Sequence, residues 1–144
     1  MAVIIDDLPQ FGGYFKPADL LDAAALLVEV KQFERQRPTN NGPKDTATID
    51  VTVFATEAEA VAGTPTVVIQ NVWAEQKLLV RDLANKVGRA VVVTLAKLAP
   101  KQPGQKGAYV FNASSPTLRK AVADYAEKRE QEIEAALAAA PSFD

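Results

Sequence analysis

The chain has 144 residues, of which 48% are apolar and 24% charged, and a formal net charge of −2. That is enough for one domain with a real core and short appendages, and it argues against a simple basic nucleic-acid binder. Cys and His are both absent, which excludes disulfides, zinc sites of the usual ligand type, Cys nucleophiles and Ser-His-Asp triads.

No apolar run approaches the ~18 residues that span a bilayer. The start, Met1 to Asp7, lacks the basic end and apolar stretch of a signal peptide. The expectation is a cytoplasmic protein without membrane contact. Charge is unevenly spread. Residues 1–14 carry Asp6 and Asp7 and no base; residues 15–115 carry 12 bases and 10 acids; residues 116–144 carry 4 bases and 6 acids. The middle is mildly basic between acidic ends.

Residues 1–14 read as an arm, broken by Pro9 and Gly12-Gly13. Lys16 to Asp19 leads into an apolar stretch with room for one helical turn. Leu26 to Phe33 is the first strand, with Leu26, Val28 and Val30 on one face and Glu29, Lys31 and Phe33 on the other. A basic turn follows, with Arg35, Arg37 and Lys44 around two prolines and Asn41-Gly42. Thr46 to Ala55 alternates cleanly: Ala47, Ile49, Val51 and Val53 face one way, and Thr48, Asp50, Thr52 and Phe54 the other. The two runs predict a long hairpin.

Residues 57–65 read as a loop of small residues. Thr66 to Trp73 is a third strand, rich in β-branched residues. Helical spacing over 75–87 puts Leu79, Leu83 and Val87 on one stripe, with Gly88 as the C-terminal cap. Arg89 to Leu98 is a fourth strand, residues 100–107 a second basic turn carrying Lys101 and Lys106, and Ala108 to Ala113 a fifth strand. Ser115 and Pro116 form a helix start. The Ala- and Glu-rich run to Ala140 then predicts a helix roughly 37 Å long. Its length exceeds what one small barrel covers, so part of it is expected to meet another subunit. Residues 141–144 form a tail.

Strand-strand-strand-helix-strand-strand is the order of an OB-fold, a five-stranded partly open barrel that commonly binds oligonucleotides. The expected fold is therefore mainly β: an OB-fold domain over 15–115, followed by a long C-terminal helix over 116–140. The two turns that usually flank the ligand groove are both basic here. Single-strand binding takes cations along the phosphates and flat side chains under the bases. The candidate cations are Lys31, Arg35, Arg37, Lys44, Lys97, Lys101 and Lys106. The candidate stacking residues are Phe33, Phe54, Trp73, Tyr109 and Phe111.

Each aromatic has a second reading. Phe33 and Phe54 lie among polar neighbours, which suits stacking, or they pack beneath the C-terminal helix. Trp73 shares its face with Val67 and Ile69, which suits a core. Tyr109 and Phe111 also fit a core or a strand rim. Gly104 to Gly107 matches the GXXG pattern of KH domains, but that loop joins two helices and this one joins two strands.

Phe15-Lys-Pro-Ala18, Thr39-Asn-Asn-Gly-Pro43, Leu83-Ala-Asn-Lys-Val-Gly88 and Lys101-Gln-Pro-Gly104 together resemble small single-stranded-DNA-binding proteins of actinobacterial phages. The likeness covers roughly residues 15–115. It implies an OB-fold and a role in phage DNA replication or recombination, with single-stranded DNA and replication or recombination proteins as expected partners. Separately, nothing in the sequence supplies a nucleophile with an adjacent base, so no enzymatic activity and no cofactor are expected. A homo-oligomer formed through the C-terminal helix is the accompanying expectation. The competing reading is an oligomeric interaction module that does not bind nucleic acid, such as a phage assembly adaptor or an anti-defence protein. The negative net charge and the long helix favour that alternative.

Overall fold

The computed structural model describes residues 13–39, 42–99 and 107–139. Its strands are β1 (Ala25–Arg37), β2 (Lys44–Phe54), β3 (Val67–Ala74), β4 (Ala90–Leu98) and β5 (Ala108–Ala113). They form one antiparallel sheet in the order β3-β2-β1-β4-β5, curled into a half-barrel. Helices α1 (Glu57–Ala62), α2 (Lys77–Leu83) and α3 (Pro116–Ala139) join it, with one 3-10 turn at Pro17–Leu20.

Alternation along β1 and β2 builds two cores, one on each face. Leu26, Val28, Val30, Ile49 and Val51 turn inward and pack with Leu79 and Leu83 of α2. Ala25, Leu27 and Phe54 turn outward and are covered by Leu118 and Val122 of α3 and Ala60 of α1. Burying such side chains contributes roughly 1.5–3 kcal/mol each for the larger ones, so α3 is bound to the sheet through its first three turns. Further on, Arg129 pairs with Glu29 of β1. Burial is the largest influence on the Arg129 guanidinium and acts to lower its pKa; the hydrogen bond and charge of Glu29, with Tyr125 behind them, outweigh it, and the net direction is up.

Helix α1 replaces the loop expected over 57–65. Its signals are local: the Thr56 hydroxyl accepts from the Glu59 N–H at 3.2 Å, and Gly63 at φ 71 closes the C-terminus. The run of Ala and Glu between them is helix-forming. Helix α2 is shorter than the expected 75–87 and ends at Leu83. Gly88 is accordingly not its cap. It sits at φ 78 in the following turn, where its N–H donates to the Val30 carbonyl at 2.8 Å. At the head of β5, Gly107 is required by space, because a Cβ there would lie 2.2 Å from the Leu98 carbonyl oxygen.

Two bulges decide which side chains reach which face. Pairing of β1 with β2 slips between Val30 and Gln32, and pairing of β2 with β3 slips between Ile49 and Val51. Each extra residue reverses the alternation beyond it. Asp50 lies between the two slips. It accepts the Asn71 N–H at 2.8 Å and pairs with Lys31 at 3.1 Å. Lys31 also donates to the Asn71 side chain at 3.1 Å, and Asn71 holds the left-handed φ of 56 that the β3 bulge needs.

Candidate nucleic-acid interface

The far ends of β1, β2 and β3 carry the site. Past its bulge, β3 turns Trp73 onto the outer face, opposite Thr48 and in the same row as Gln32 of β1. The alternation expected Trp73 beside Val67 and Ile69 in the core; the extra residue around Asn71 puts it on the other side. Phe33 moves the opposite way. It was expected among the polar residues of β1, but the slip at Lys31 pairs it with Ala47 and packs it against the inner core. One pair of bulges thus exchanges the faces of two aromatics.

A third irregularity, between Glu34 and Arg37, brings Arg37 opposite Lys44 on the outer face. Gln36 takes φ 50 there, and its N–H donates to Asp45 at 2.9 Å. Arg37 lies over the Trp73 ring, 3.9 Å from its centroid, and pairs with Glu75 at 3.2 Å. Its side chain is 19% exposed and that of Glu75 14%. The Arg37 Nε is buried and has no acceptor among the described residues. Tyr14 closes the other edge of Trp73, edge to face at 5.8 Å. Residues 13–15 bridge onto β3 at Trp73, through Phe15 N–H to the Trp73 carbonyl at 2.8 Å and Trp73 N–H to Gly13 at 2.9 Å. The described end of the arm is therefore part of the sheet edge.

A cleft of about 650 Å³ opens along this row, lined by Lys31, Gln32, Phe33, Arg37, Thr48 and Trp73 among others. Four of the expected site residues meet in it. Arg35 stands over the Phe33 ring at 5.6 Å, and Lys44 faces Arg37 across the strand pair. Six of the twelve are therefore assembled at one end of the sheet.

The other six are placed differently. Phe54 is fully buried beneath α3, edge to face with Tyr125 at 5.3 Å. The outer face of β2 is open at Thr48 but covered at Phe54, so Phe54 offers no stacking surface. Lys97 lies 5.6 Å from the Tyr109 ring centroid, but neither lines the Trp73 cleft. β1 and β4 run antiparallel, so the β4–β5 turn leaves the opposite end of their ladder from the β1–β2 turn. Phe111 packs against the inner core and lines a second cleft. Lys101 and Lys106 lie outside the described residues, as do residues 1–12 and the tail 141–144.

That second cleft, of about 1160 Å³, went unforeseen. It follows the edge of β4 at Ala90–Val92, before pairing with β5 begins at Val93, and α3 forms its far wall. Lys86, Arg89, Arg119 and Lys120 line it, together with Asp82, which is already paired with Arg81. Two of these bases sit in the turn between α2 and β4 and two on α3, so no common spacing in the sequence joins them. Among the described residues, no group of three or more acids gathers as a metal site, and no helix is long and apolar enough to cross a membrane. Comparison of the chain with family models, curated proteins and solved structures finds no match.

Proposed function

We propose that this chain is an OB-fold protein that binds single-stranded DNA without sequence preference, in a cytoplasm, in phage DNA replication or recombination, and that it acts by binding rather than by catalysis. The order β3-β2-β1-β4-β5, with α2 between β3 and β4, supports the OB reading. The observation that carries the DNA reading is the Trp73 cleft. On the outer face a half-exposed indole lies under Arg37, with Lys44 paired opposite Arg37, and at the same end of the sheet the half-exposed Phe33 ring, turned to the inner face, carries Arg35. Stacking platforms beside cations are what a sequence-tolerant single-strand site needs.

Trp73 is the chain's only tryptophan, so its fluorescence reports on the cleft directly. Oligo-dT is expected to quench it saturably at low salt, and Trp73→Ala to weaken binding by the ~1–3 kcal/mol of one stacked base. Absence of binding at low salt rejects the reading. The alternative, an interaction module without nucleic acid, is favoured by one observation: Lys31 and Arg37 already hold acidic partners. That reading predicts unchanged behaviour when Arg35 and Lys44 are neutralised.

A further inference from the structure

Beyond the Arg129–Glu29 pair, the last nine residues of α3 stand free of the sheet. Residues 131–139 are all exposed, with Ile133 at 53% and Leu137 at 72%. Four residues apart, the two side chains are neighbours on one face of the helix and form a continuous apolar strip there. Their helical positions say more. Arg119, Ala123, Ala126, Glu130, Ile133 and Leu137 recur at alternating intervals of four and three, which is one continuous stripe. It runs beside the stripe of Leu118 and Val122 that binds the sheet.

The stripe is complementary to itself. Its first half lines the second cleft with small side chains, Ala123 and Ala126, flanked by Arg119 and Lys120. Its second half carries the large side chains, Ile133 and Leu137, flanked by Glu130 and Glu134. Laid antiparallel on a second α3, Leu137 falls opposite Arg119, Ile133 opposite Ala123 and Glu130 opposite Ala126. Glu134 then meets Lys120, and the acidic end approaches Lys86 and Arg89 on the facing wall. Ala123 leaves room for Ile133, Leu137 lies along the apolar stem of Arg119, and Glu134 meets in Lys120 a base that has no ion pair among the described residues. A two-fold axis near the middle of the helix repeats every contact, so both halves of both stripes are used and the assembly closes.

We propose that two copies of this chain associate through an antiparallel pairing of α3, each acidic helix end seated at the basic cleft of the other. The interface is separate from the Trp73 cleft, so it stands whether or not that cleft binds DNA.

The test uses the full chain and its mass in solution by sedimentation, in DNA-free buffer at low salt. Wild type is expected at dimer mass, shifting toward monomer as salt rises. Ile133→Ser with Leu137→Ser is expected to give folded monomer, since neither residue packs on its own sheet. Two charge reversals complete the set: Glu130→Lys with Glu134→Lys, and Arg119→Glu with Lys120→Glu. Each alone is expected to weaken dimerisation roughly a hundredfold or more, because like charges then face each other. Mixed in equal amounts they are expected to form a heterodimer, because both reversed halves then find opposite charge. Monomeric wild type, a dimer that survives the Ile133/Leu137 change, or a mixture that stays monomeric overturns the proposal.

Discussion

Replacing Asp50 tests the device on which the Trp73 cleft depends. Asp50→Ala removes the acceptor of the Asn71 N–H and the partner of Lys31 together. A hydrogen bond to a carboxylate contributes about 1.5–3 kcal/mol net. The Lys31 pair adds about 0.2–1 kcal/mol, because Lys31 is 45% exposed and screened by solvent. The expected loss is therefore about 2–4 kcal/mol. Asp50→Asn keeps a side-chain oxygen for the Asn71 N–H and loses only the charge, so it is expected to cost about 1 kcal/mol or less. Urea unfolding followed by circular dichroism measures both, and equal slopes license the comparison. Trp73 fluorescence supplies the structural readout. If the β3 bulge relaxes to regular pairing, the indole turns toward the inner face and its emission moves to the blue. The reasoning fails if Asp50→Ala stays within about 0.5 kcal/mol of wild type, or if Asn proves as damaging as Ala.

Three further outcomes are expected. Phe54→Ala should destabilise the fold by about 3–5 kcal/mol, as loss of a fully buried ring does, while leaving DNA affinity of the folded protein unchanged; a selective loss of affinity would place Phe54 in the interface after all. The slope of log affinity against log salt should become shallower by about 0.7 for Arg35→Gln and for Lys44→Gln, and stay unchanged for Lys31→Gln, whose charge Asp50 already balances; equal effects at all three positions would refute the distinction. The Arg129–Glu29 contact should be insensitive to alkali at its arginine end. A raised folded pKa means a contribution that is whole below the ordinary arginine value and lost only as pH rises through the higher one. The stability deficit of Arg129→Met should thus be the same at about pH 7 and about pH 9, and a deficit that shrinks over that interval contradicts it.

How much of this was legible in the sequence depends on where the alternation is unbroken. From Ala25 to Val30 and from Ala47 to Phe54 every residue takes the face that its position predicts, because both faces are buried and a slip would expose a core. The cap Ser115 with Pro116 places the start of α3 correctly: the Ser115 hydroxyl accepts the Leu118 N–H at 3.3 Å. Beyond Val30 the sheet is covered less, and a bulge costs little there. Nothing in the run Val30-Lys-Gln-Phe33 marks the extra residue, and the partner of the bulged Lys31, Asp50, is on another strand. The Asn at position 71 is the one local hint, being tolerant of the left-handed conformation. Helix α1 is a different case. Thr56, Glu59 and Gly63 are a readable set of helix-end signals, hidden by a composition that suggests a loop.

The exchange of Phe33 and Trp73 changes what the proposed site recognises. Had both aromatics kept the faces their strands predict, Phe33 would stand on the open side and the indole would be core. Instead the larger ring is outside, with Arg37 on one side of it at 3.9 Å and Tyr14 at its edge. Arg37 is in turn held by Glu75, so its charge is balanced and its planar face is fixed. A guanidinium so held offers a base a fixed plane to stack on, while its charge is already engaged by Glu75 rather than free for a phosphate. On the proposed reading, phosphate contact would fall to Arg35 and Lys44. Affinity at such a site rests more on stacking than on counterion release, which reconciles a single-strand binder with a chain whose net charge is −2.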